Sequence, residues 1–186
     1  VNGQPVSPKH PRDAVRAGIA LVPEDRKAQG VILNLAIRDN VAMVGMDRWQ
    51  RSGFVNDGKI DKVADSARDS LRIRTPTIRQ QVSMLSGGNQ QKVVLAKWMP
   101  LNPRIFLLDE PTRGIDVGSK SEIYEVIAKM TSEGAAVLVI SSELEEVLRI
   151  SDRVLVMHEG RIAGSISRDS DQFSEQGIMQ LATGGN

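Results

Sequence analysis

Two patterns of apolar and polar positions alternate along this chain. Some short runs are apolar throughout, which is typical of strands buried in a parallel sheet. Longer segments place apolar residues three or four positions apart, which is typical of amphipathic helices. Because the apolar runs alternate with the helical segments along the chain, the sequence predicts an α/β fold with a mostly parallel sheet. The predicted strands are 19–22, 105–108 and 135–140, and the clearest predicted helices are 57–73, 86–98 and 117–132.

The middle of the chain lacks this alternation. Residues 37–100 show helical spacing and no convincing strand, so we expect a helical subdomain over that range within one domain of residues 1–186. Further predictions are a hairpin turn at residues 2–3, helix signals over 7–16, a loop at 24–36 and a short helix at 142–148. A hairpin of strands 154–157 and 162–165, with its turn at 158–161, and a last helix at 174–182 follow.

Composition excludes several classes of protein. The chain has 186 residues, a net charge of +1 and no cysteine. Without cysteine there are no disulfides and no thiolate metal sites, and the balanced charge gives no reason to expect a nucleic-acid partner. No apolar run approaches the roughly 20 residues of a membrane span. The first residues show no initiator Met and no signal peptide, so we expect the chain to begin inside a longer protein.

Two acids follow the second predicted strand. Asp109 and Glu110 come directly after it, and α/β proteins bind ligands at the carboxyl ends of parallel strands. Asp109 is suited to hold Mg²⁺, directly or through water, and Glu110 to orient or deprotonate a water that attacks a γ-phosphate. The alternative is a strand that simply ends in a polar turn. Pro111 and Thr112, together with a glycine turn upstream, favour nucleotide chemistry.

That glycine turn precedes one of the predicted helices. Ser86 is a candidate N-cap, and Gly87 and Gly88 would open the helix. Glycines let the backbone approach an anion closely, and a helix N-terminus offers free N–H groups in a positive potential. Ser-Gly-Gly alone is common in ordinary helix caps, whereas the longer string at 85–92 is far more specific.

The string Leu-Ser-Gly-Gly-Asn-Gln-Gln-Lys at 85–92 resembles the signature motif of ATP-binding cassette (ABC) ATPases. Residues 107–112 are similar to the Walker B strand and turn of that family, and 114–116 lie where the family has its D-loop. The variant Asn-Gln-Gln-Lys at the end of the signature, together with Val-Pro-Glu-Asp-Arg-Lys at 22–27, resembles the second cassette of fused double-cassette importers of ribose, galactose and xylose. The resemblance covers nearly the whole chain.

The resemblance implies roles for individual residues. Asp109 would hold Mg²⁺, Glu110 would act on the attacking water, and Asp116 would lie at the interface between two cassettes. The signature motif would bind the γ-phosphate of an ATP that the opposite cassette holds. Its residues are Ser86, Gly87 and Gly88, with Gln91 nearby.

Two positions depart from the family pattern. Glu24 aligns with the Q-loop glutamine, a residue for Mg²⁺ and coupling; a carboxylate can still face Mg²⁺ but adds negative charge near phosphates. Ser142 stands where the family has its switch histidine, and a hydroxyl cannot supply the positive charge of an imidazolium. We therefore expect the ATP site built on this cassette's own Walker B to hydrolyse slowly or not at all. Ser142 could also be a helix cap.

The family's Walker A loop, Gly-x-x-x-x-Gly-Lys-Ser/Thr, has one near match, at 53–60. We reject it because Ile60 stands where Ser or Thr should ligate Mg²⁺ and no apolar strand leads into it. The resemblance then implies an incomplete P-loop NTPase core, with the Walker A loop and strand before Val1. That strand would lie beside residues 135–140. We therefore expect the isolated chain to oligomerise, swap strands or be marginally stable. We also expect it to bind ATP poorly and to be inactive as an ATPase.

As a whole, the sequence predicts a fragment of the ATPase of an ABC importer for monosaccharides, with ATP and Mg²⁺ as its ligands. The expected partners are a second cassette, membrane permease subunits and, indirectly, a sugar-binding protein. The expected location is peripheral, on the cytoplasmic face of the inner (plasma) membrane. Two alternatives stay open: a soluble ABC ATPase that acts in repair or translation, and a catalytically inactive cassette that serves as an interaction module.

Overall fold

The computed structural model describes residues 1, 3–51 and 53–184. The turn predicted at residues 2–3 includes Asn2, which lies outside the described residues. The strands are β1 (Ile19–Val22), β2 (Gln50–Arg51), β3 (Phe54–Val55), β4 (Ile105–Asp109), β5 (Ala136–Ile140), β6 (Arg153–His158) and β7 (Arg161–Ser167). The α-helices are α1 (Pro11–Arg16), α2 (Ile37–Met43), α3 (Met46–Trp49), α4 (Asp57–Ser70), α5 (Gly87–Ala96), α6 (Val117–Ser132), α7 (Leu144–Ile150) and α8 (Glu175–Ala182).

A parallel sheet of three strands, in the order β1-β4-β5, organises the first part of the chain. Ile19 pairs with Ile105, and Ile105 pairs with Ala136, so the three carboxyl ends reach the same edge of the sheet. The predicted α/β fold with a parallel sheet is confirmed. Local sequence set these strands because continuous runs of branched apolar residues favour extended, buried backbone.

Only one face of this sheet is covered within the described residues. Val22 and Leu108, which pair across β1 and β4, are fully buried. The opposite face carries apolar side chains that are 52–56% exposed: Leu21, Leu138 and Ile140. An apolar strand with one open face, lying at the edge of a sheet as β5 does, favours association with other chains. The predicted self-association of the isolated chain stays a prediction.

The predicted helical block contains one short hairpin that the sequence did not show. Strands β2 and β3 pair antiparallel, with Gln50 opposite Val55. Each strand has two residues, too few for an alternating pattern to appear, so the expectation of no strand in this range was wrong. Trp49 packs with Ala42 and Ile60 beside the hairpin, and its indole nitrogen donates to the carbonyl of Ala42 at 3.0 Å.

The predicted loop at 24–36 also contains regular structure. Arg26–Gly30 form a π-helix, and the Asp25 carboxylate accepts hydrogen bonds from the backbone nitrogens of Lys27 and Ala28, each at 3.0 Å. This side-chain cap satisfies two backbone donors that a helix start otherwise leaves open. The turn thereby gains a fixed shape that brings Arg26 close to residues far along the chain.

The chain divides into two compact units, Val1–Ile140 and Ser141–Asn186. The second unit contains α7, the hairpin of β6 and β7, and α8, and the hairpin turn predicted at 158–161 is confirmed. Its core is formed by Val154, Val156, Ile166 and Ile178. The predicted helical subdomain lies inside the first unit. Among the described residues, the helices are all too short or too polar to cross a membrane.

Candidate functional site

The two predicted carboxylates lie at the carboxyl end of β4, the central strand. Asp109 is the last residue of the strand and pairs with Ile140 of β5. The backbone nitrogen of Glu110 then donates to the Ile140 carbonyl at 2.8 Å. Glu110 has a φ of +43°, a left-handed conformation that is uncommon for a residue other than glycine. Both side chains are partly exposed at the edge where parallel sheets bind ligands.

The glycine turn has the predicted helical geometry. Ser86 is the N-cap of α5, and its hydroxyl oxygen accepts from the backbone nitrogen of Asn89 at 3.5 Å and from the Asn89 amide nitrogen at 2.9 Å. The prediction that Ser86 caps this helix is confirmed. Ser86 is exposed, whereas Gly88 is buried.

Arg26 holds the turn after Glu110 against the start of α5. Its guanidinium donates to the carbonyls of Arg113 at 2.7 Å and Gly114 at 3.2 Å. A Cβ atom on Gly87 would lie 2.9 Å from the Arg26 Nη2 atom and 3.4 Å from the Gly114 carbonyl oxygen. A side chain at Gly87 would therefore displace the Arg26 guanidinium from the carbonyls that it binds.

Gly88 makes the second close contact, with the start of α6. A Cβ atom there would lie 2.5 Å from Ser119 Cβ. The backbone nitrogen of Ser119 donates to the carboxylate of Asp116, the N-cap of α6, at 2.9 Å. Hydrogen bonds from Ser119 hold the pKa of Asp116 below its ordinary value. The structure thus places the signature glycines beside the predicted D-loop, with Arg26 and Ser119 between them.

Glu24 is paired at the same turn. Its carboxylate forms an ion pair with the guanidinium of Arg113. The ion pair offsets the negative charge of the Glu24 carboxylate. To bind a metal ion, Glu24 would first have to release Arg113. Among the described residues, no three His, Cys, Asp or Glu side chains form a ligand cluster. Mg²⁺ binds through one or two carboxylates plus phosphates and water, so Asp109, partly exposed at a strand end, fits this ion better than Glu24.

Two further predicted site residues are Gln91 and Ser142. Gln91 is only 2% exposed, within the interior around α5, so the structure does not bring its side chain to the surface with Ser86. Ser142 belongs to the second unit and precedes α7, whose N-cap is Glu143. The interpretation of Ser142 as a helix cap is therefore wrong. Its role in place of a switch histidine stays a prediction.

The rejected Walker A match has the geometry of a hairpin and a helix. Gly53 has a φ of +82° and precedes β3, and α4 begins at Asp57 with Asn56 as its N-cap. Within the described part of the chain, the strand before it, β2, pairs with β3 alone and lies outside the parallel sheet. This arrangement agrees with the rejection of 53–60 as a phosphate loop.

Four residues that shape the site do not stand out in the sequence. They are Arg26, Asn89, Arg113 and Ser119. Arg26 lies 87 and 88 positions from the carbonyls it binds, so no local pattern could show these contacts. Asn89 lies inside the signature string, and its third position in the helix was a signal that its side chain could reach the cap.

Comparison with known proteins defines the class. The ABC transporter family matches residues 1–113, and the chain belongs to this family. It is 47% identical over 184 residues to the putative ribose/galactose/methyl galactoside import ATP-binding protein of Halalkalibacterium halodurans, covering 99% of this chain and 35% of that protein. It is 46% identical over 186 residues to the ribose import ATP-binding protein RbsA of Geobacillus kaustophilus, covering 100% of this chain and 37% of that protein.

The chain therefore spans about a third of the length of the curated relatives it matches. Solved structures share the fold. The cassette MJ0796, in a dimeric post-hydrolysis state bound to ADP and Pi, aligns with a TM-score of 0.69 at 22% identity over 84% of this chain and 66% of that one. The cassette MJ1267 aligns with a TM-score of 0.74 at 18% identity over 93% of this chain and 71% of that one. The predicted membership of the ABC family and the predicted cassette fold are confirmed.

Proposed function

We propose that this chain is part of the ATP-hydrolysing subunit of an importer for monosaccharides of the ribose and galactose type. The support is identity of 46–47% to ribose and galactose import ATP-binding proteins across 99–100% of the chain. In this proposal the subunit lies on the cytoplasmic face of the inner membrane. It works with a second cassette, with permease subunits and, indirectly, with a sugar-binding protein. Nucleic acid is not a partner.

One observation supports nucleotide binding most directly. Gly87 and Gly88 lie against Arg26 and Ser119 without room for a Cβ atom, at the N-terminus of α5. The bare backbone and the exposed Ser86 hydroxyl offer hydrogen-bond donors in the positive potential of the helix. In the proposed complex they bind the γ-phosphate of an ATP that the partner cassette holds, and Asp116 lies at the interface between the cassettes.

The second proposed site is built on the end of β4. Asp109 would hold Mg²⁺, which neutralises phosphate charge when bound. Glu110 orients or deprotonates the attacking water, and its left-handed backbone ends the strand at that point. Ser142 offers a hydroxyl where a cation would favour hydrolysis, and Glu24 is paired with Arg113. We therefore expect this site to turn over more slowly than the site that Ser86 serves.

This asymmetry gives the test. Mg-ATP turnover is measured in the complete importer, reconstituted with its permease and sugar-binding protein, for the wild type, Glu110→Gln and Ser86→Ala. Because Ser86 serves the partner's ATP and Glu110 only the weak site, we expect Ser86→Ala to lose the larger share of turnover. Stimulation by ribose or galactose would identify the substrate class.

The outcomes separate the candidates. Equal losses for Ser86→Ala and Glu110→Gln would contradict the asymmetry of the two sites. Turnover that no sugar stimulates, in a protein that does not associate with a permease, would favour the soluble ATPase. A wild type without turnover would favour the inactive interaction module, which the departures at Glu24 and Ser142 would fit.

A further inference from the structure

The side chain of Asn89 bridges two neighbours at the start of α5. Its Oδ1 atom accepts from the backbone nitrogen of Arg74 at 2.8 Å, and its Nδ2 atom donates to the hydroxyl oxygen of Ser86 at 2.9 Å. Its own backbone nitrogen also donates to that oxygen, at 3.5 Å. The Arg74 guanidinium also bonds Glu122 of α6, at 2.7 Å. Asn89 therefore joins the signature turn to a segment 15 residues upstream.

This arrangement determines which way the Asn89 amide faces. A backbone N–H can only donate, so the atom of Asn89 next to Arg74 has to be the carbonyl oxygen. The amide nitrogen then faces Ser86 and donates to it. The amide orientation, which is often ambiguous between oxygen and nitrogen, is fixed here by the chemistry of its neighbour.

The same contacts determine what the Ser86 hydroxyl can do. Its oxygen has two lone pairs, and both receive N–H groups of Asn89. The single hydroxyl hydrogen has to point away from Asn89, and no acceptor within the described parts of the chain receives it. Ser86 is exposed, so the hydrogen is available to a ligand. The hydroxyl is thus held as a donor, which suits a phosphate oxygen and disfavours a ligand that donates.

We propose that Asn89 is a positioning residue that holds the Ser86 hydroxyl as a hydrogen-bond donor to the terminal phosphate of the partner cassette's ATP. This inference rests on the proposed function and adds to it the residue that orients the donor. Without the Asn89 amide, only the longer contact from the Asn89 backbone nitrogen remains, and the hydroxyl can turn so that a lone pair faces the phosphate for part of the time. Lone pairs facing an anion repel it, so affinity for ATP falls.

Asn89→Asp tests this with a side chain of nearly the same shape. The carboxylate keeps the bond from the Arg74 nitrogen, but its second oxygen accepts the hydrogen of Ser86 and turns the donor inward. Because a carboxylate at the third helical position favours a helix, we expect the Tm of the nucleotide-free protein to stay the same or rise. We expect Mg-ATP affinity and kcat/KM of the complete importer to fall on the order of tenfold or more, the value of a hydrogen bond to a charged group.

Three controls separate the orientation of the hydroxyl from the effect of added charge. In a Ser86→Ala background no hydroxyl remains to be turned, so Asn89→Asp should lower Mg-ATP affinity only about twofold there. Asn56→Asp introduces the same change at the N-cap of α4, where Asn56 accepts from the Lys59 backbone nitrogen at 2.9 Å, and should leave affinity and turnover unchanged. Asn89→Ala removes the amide without adding charge and should show a smaller loss, which also disappears in the Ser86→Ala background.

Each outcome decides the point. Equal losses from Asn89→Asp with and without Ser86 would mean that charge alone acts, and would overturn the proposal. A lower Tm for both Asn89 variants, with affinity falling in parallel, would make Asn89 purely structural. A wild-type importer without Mg-ATP turnover would remove the proposed function first. Loss of turnover in Ser86→Ala, with no effect of either Asn89 variant, would leave that function intact and reject only the role of Asn89.

Discussion

At the scale of single residues, the glycines of this chain differ in how much room surrounds them. Gly88 has Ser119 where its Cβ would be, at 2.5 Å from Ser119 Cβ and 2.6 Å from its hydroxyl oxygen. Gly58, in the first turn of α4, has its nearest neighbour at 3.7 Å, which is ordinary contact. The two glycines both lie in helices, so helix propensity alone would favour alanine at either position.

We expect Gly88→Ala and Gly58→Ala to change stability in opposite directions. Gly88→Ala should lower the free energy of unfolding by about 1–3 kcal/mol, because α5 and α6 must move apart. Gly58→Ala should raise it by about 0.5–1 kcal/mol, because alanine restricts the unfolded chain. Urea unfolding measures both. Ser119→Gly should restore part of the loss in Gly88→Ala; a loss that persists in the double variant would place the clash elsewhere.

At the scale of elements, a buried lysine connects α5 to α6. The Lys92 ammonium donates to the Glu122 carboxylate at 2.7 Å and to the Arg72 carbonyl at 3.0 Å, and its side chain is 2% exposed. The hydrogen bond from Lys92 holds the pKa of Glu122 below its ordinary value of 4.5. Because the folded pKa is the lower one, the stabilisation is present above pH 4.5 and is lost as the pH falls through the folded pKa.

Glu122→Gln should therefore cost about 1–3 kcal/mol at neutral pH, because a buried ammonium loses its charged partner. Between neutral pH and the acid range, the free energy of unfolding of the variant should also fall less than that of the wild type, because no carboxylate at position 122 has to be protonated. Urea unfolding over a pH series measures this. Glu125→Gln, three residues further along α6, is the control. Glu125 pairs with Arg72 on the surface, so this change should lower the free energy of unfolding by less than about 1 kcal/mol. If the free energy of unfolding changed equally with pH in Glu122→Gln and in the wild type, Glu122 would not be the group responsible for the acid-range loss of stability.

At the scale of the whole molecule, we expect the open face of the parallel sheet to govern the association of the isolated chain. Leu138 and Ile140 lie on β5, at the edge of the sheet, and are 52% and 56% exposed. Among the residues that the structure describes, β5 pairs with β4 alone, so an open strand edge and apolar side chains occur together there, which favours pairing between chains.

We expect the isolated 186-residue chain to associate at micromolar concentration, and sedimentation velocity measures this. Leu138→Lys should shift the chain toward monomer, because a charge on an edge strand opposes pairing. Phe54→Lys is the control: Phe54 is highly exposed but lies on the β2–β3 hairpin, so association should persist. A wild-type chain that sediments as a stable monomer would contradict the expectation, as would equal effects of the two lysines.

Local sequence was sufficient for much of the fold and for part of the site. The strand ending in Asp109 follows from a run of apolar residues, and the Ser86 cap follows from a short polar residue before two glycines. These features depend on neighbours along the chain. The same string did not show that Gln91, five residues after Ser86, is buried. Burial depends on what packs around the helix, and the string contains no information about that.

The sequence by itself determined the strands of the parallel sheet and the longer helices, the acids at the end of β4 and the membership of the ABC family, because these depend on local propensity and contiguous motifs. Tertiary structure alone decided that Arg26 binds the carbonyls of Arg113 and Gly114, and that Glu24 pairs with Arg113. It also decided that one face of the sheet stays open among the described residues. Each of these joins or exposes residues far apart in the chain, and their geometry is set by packing, which a linear pattern does not record.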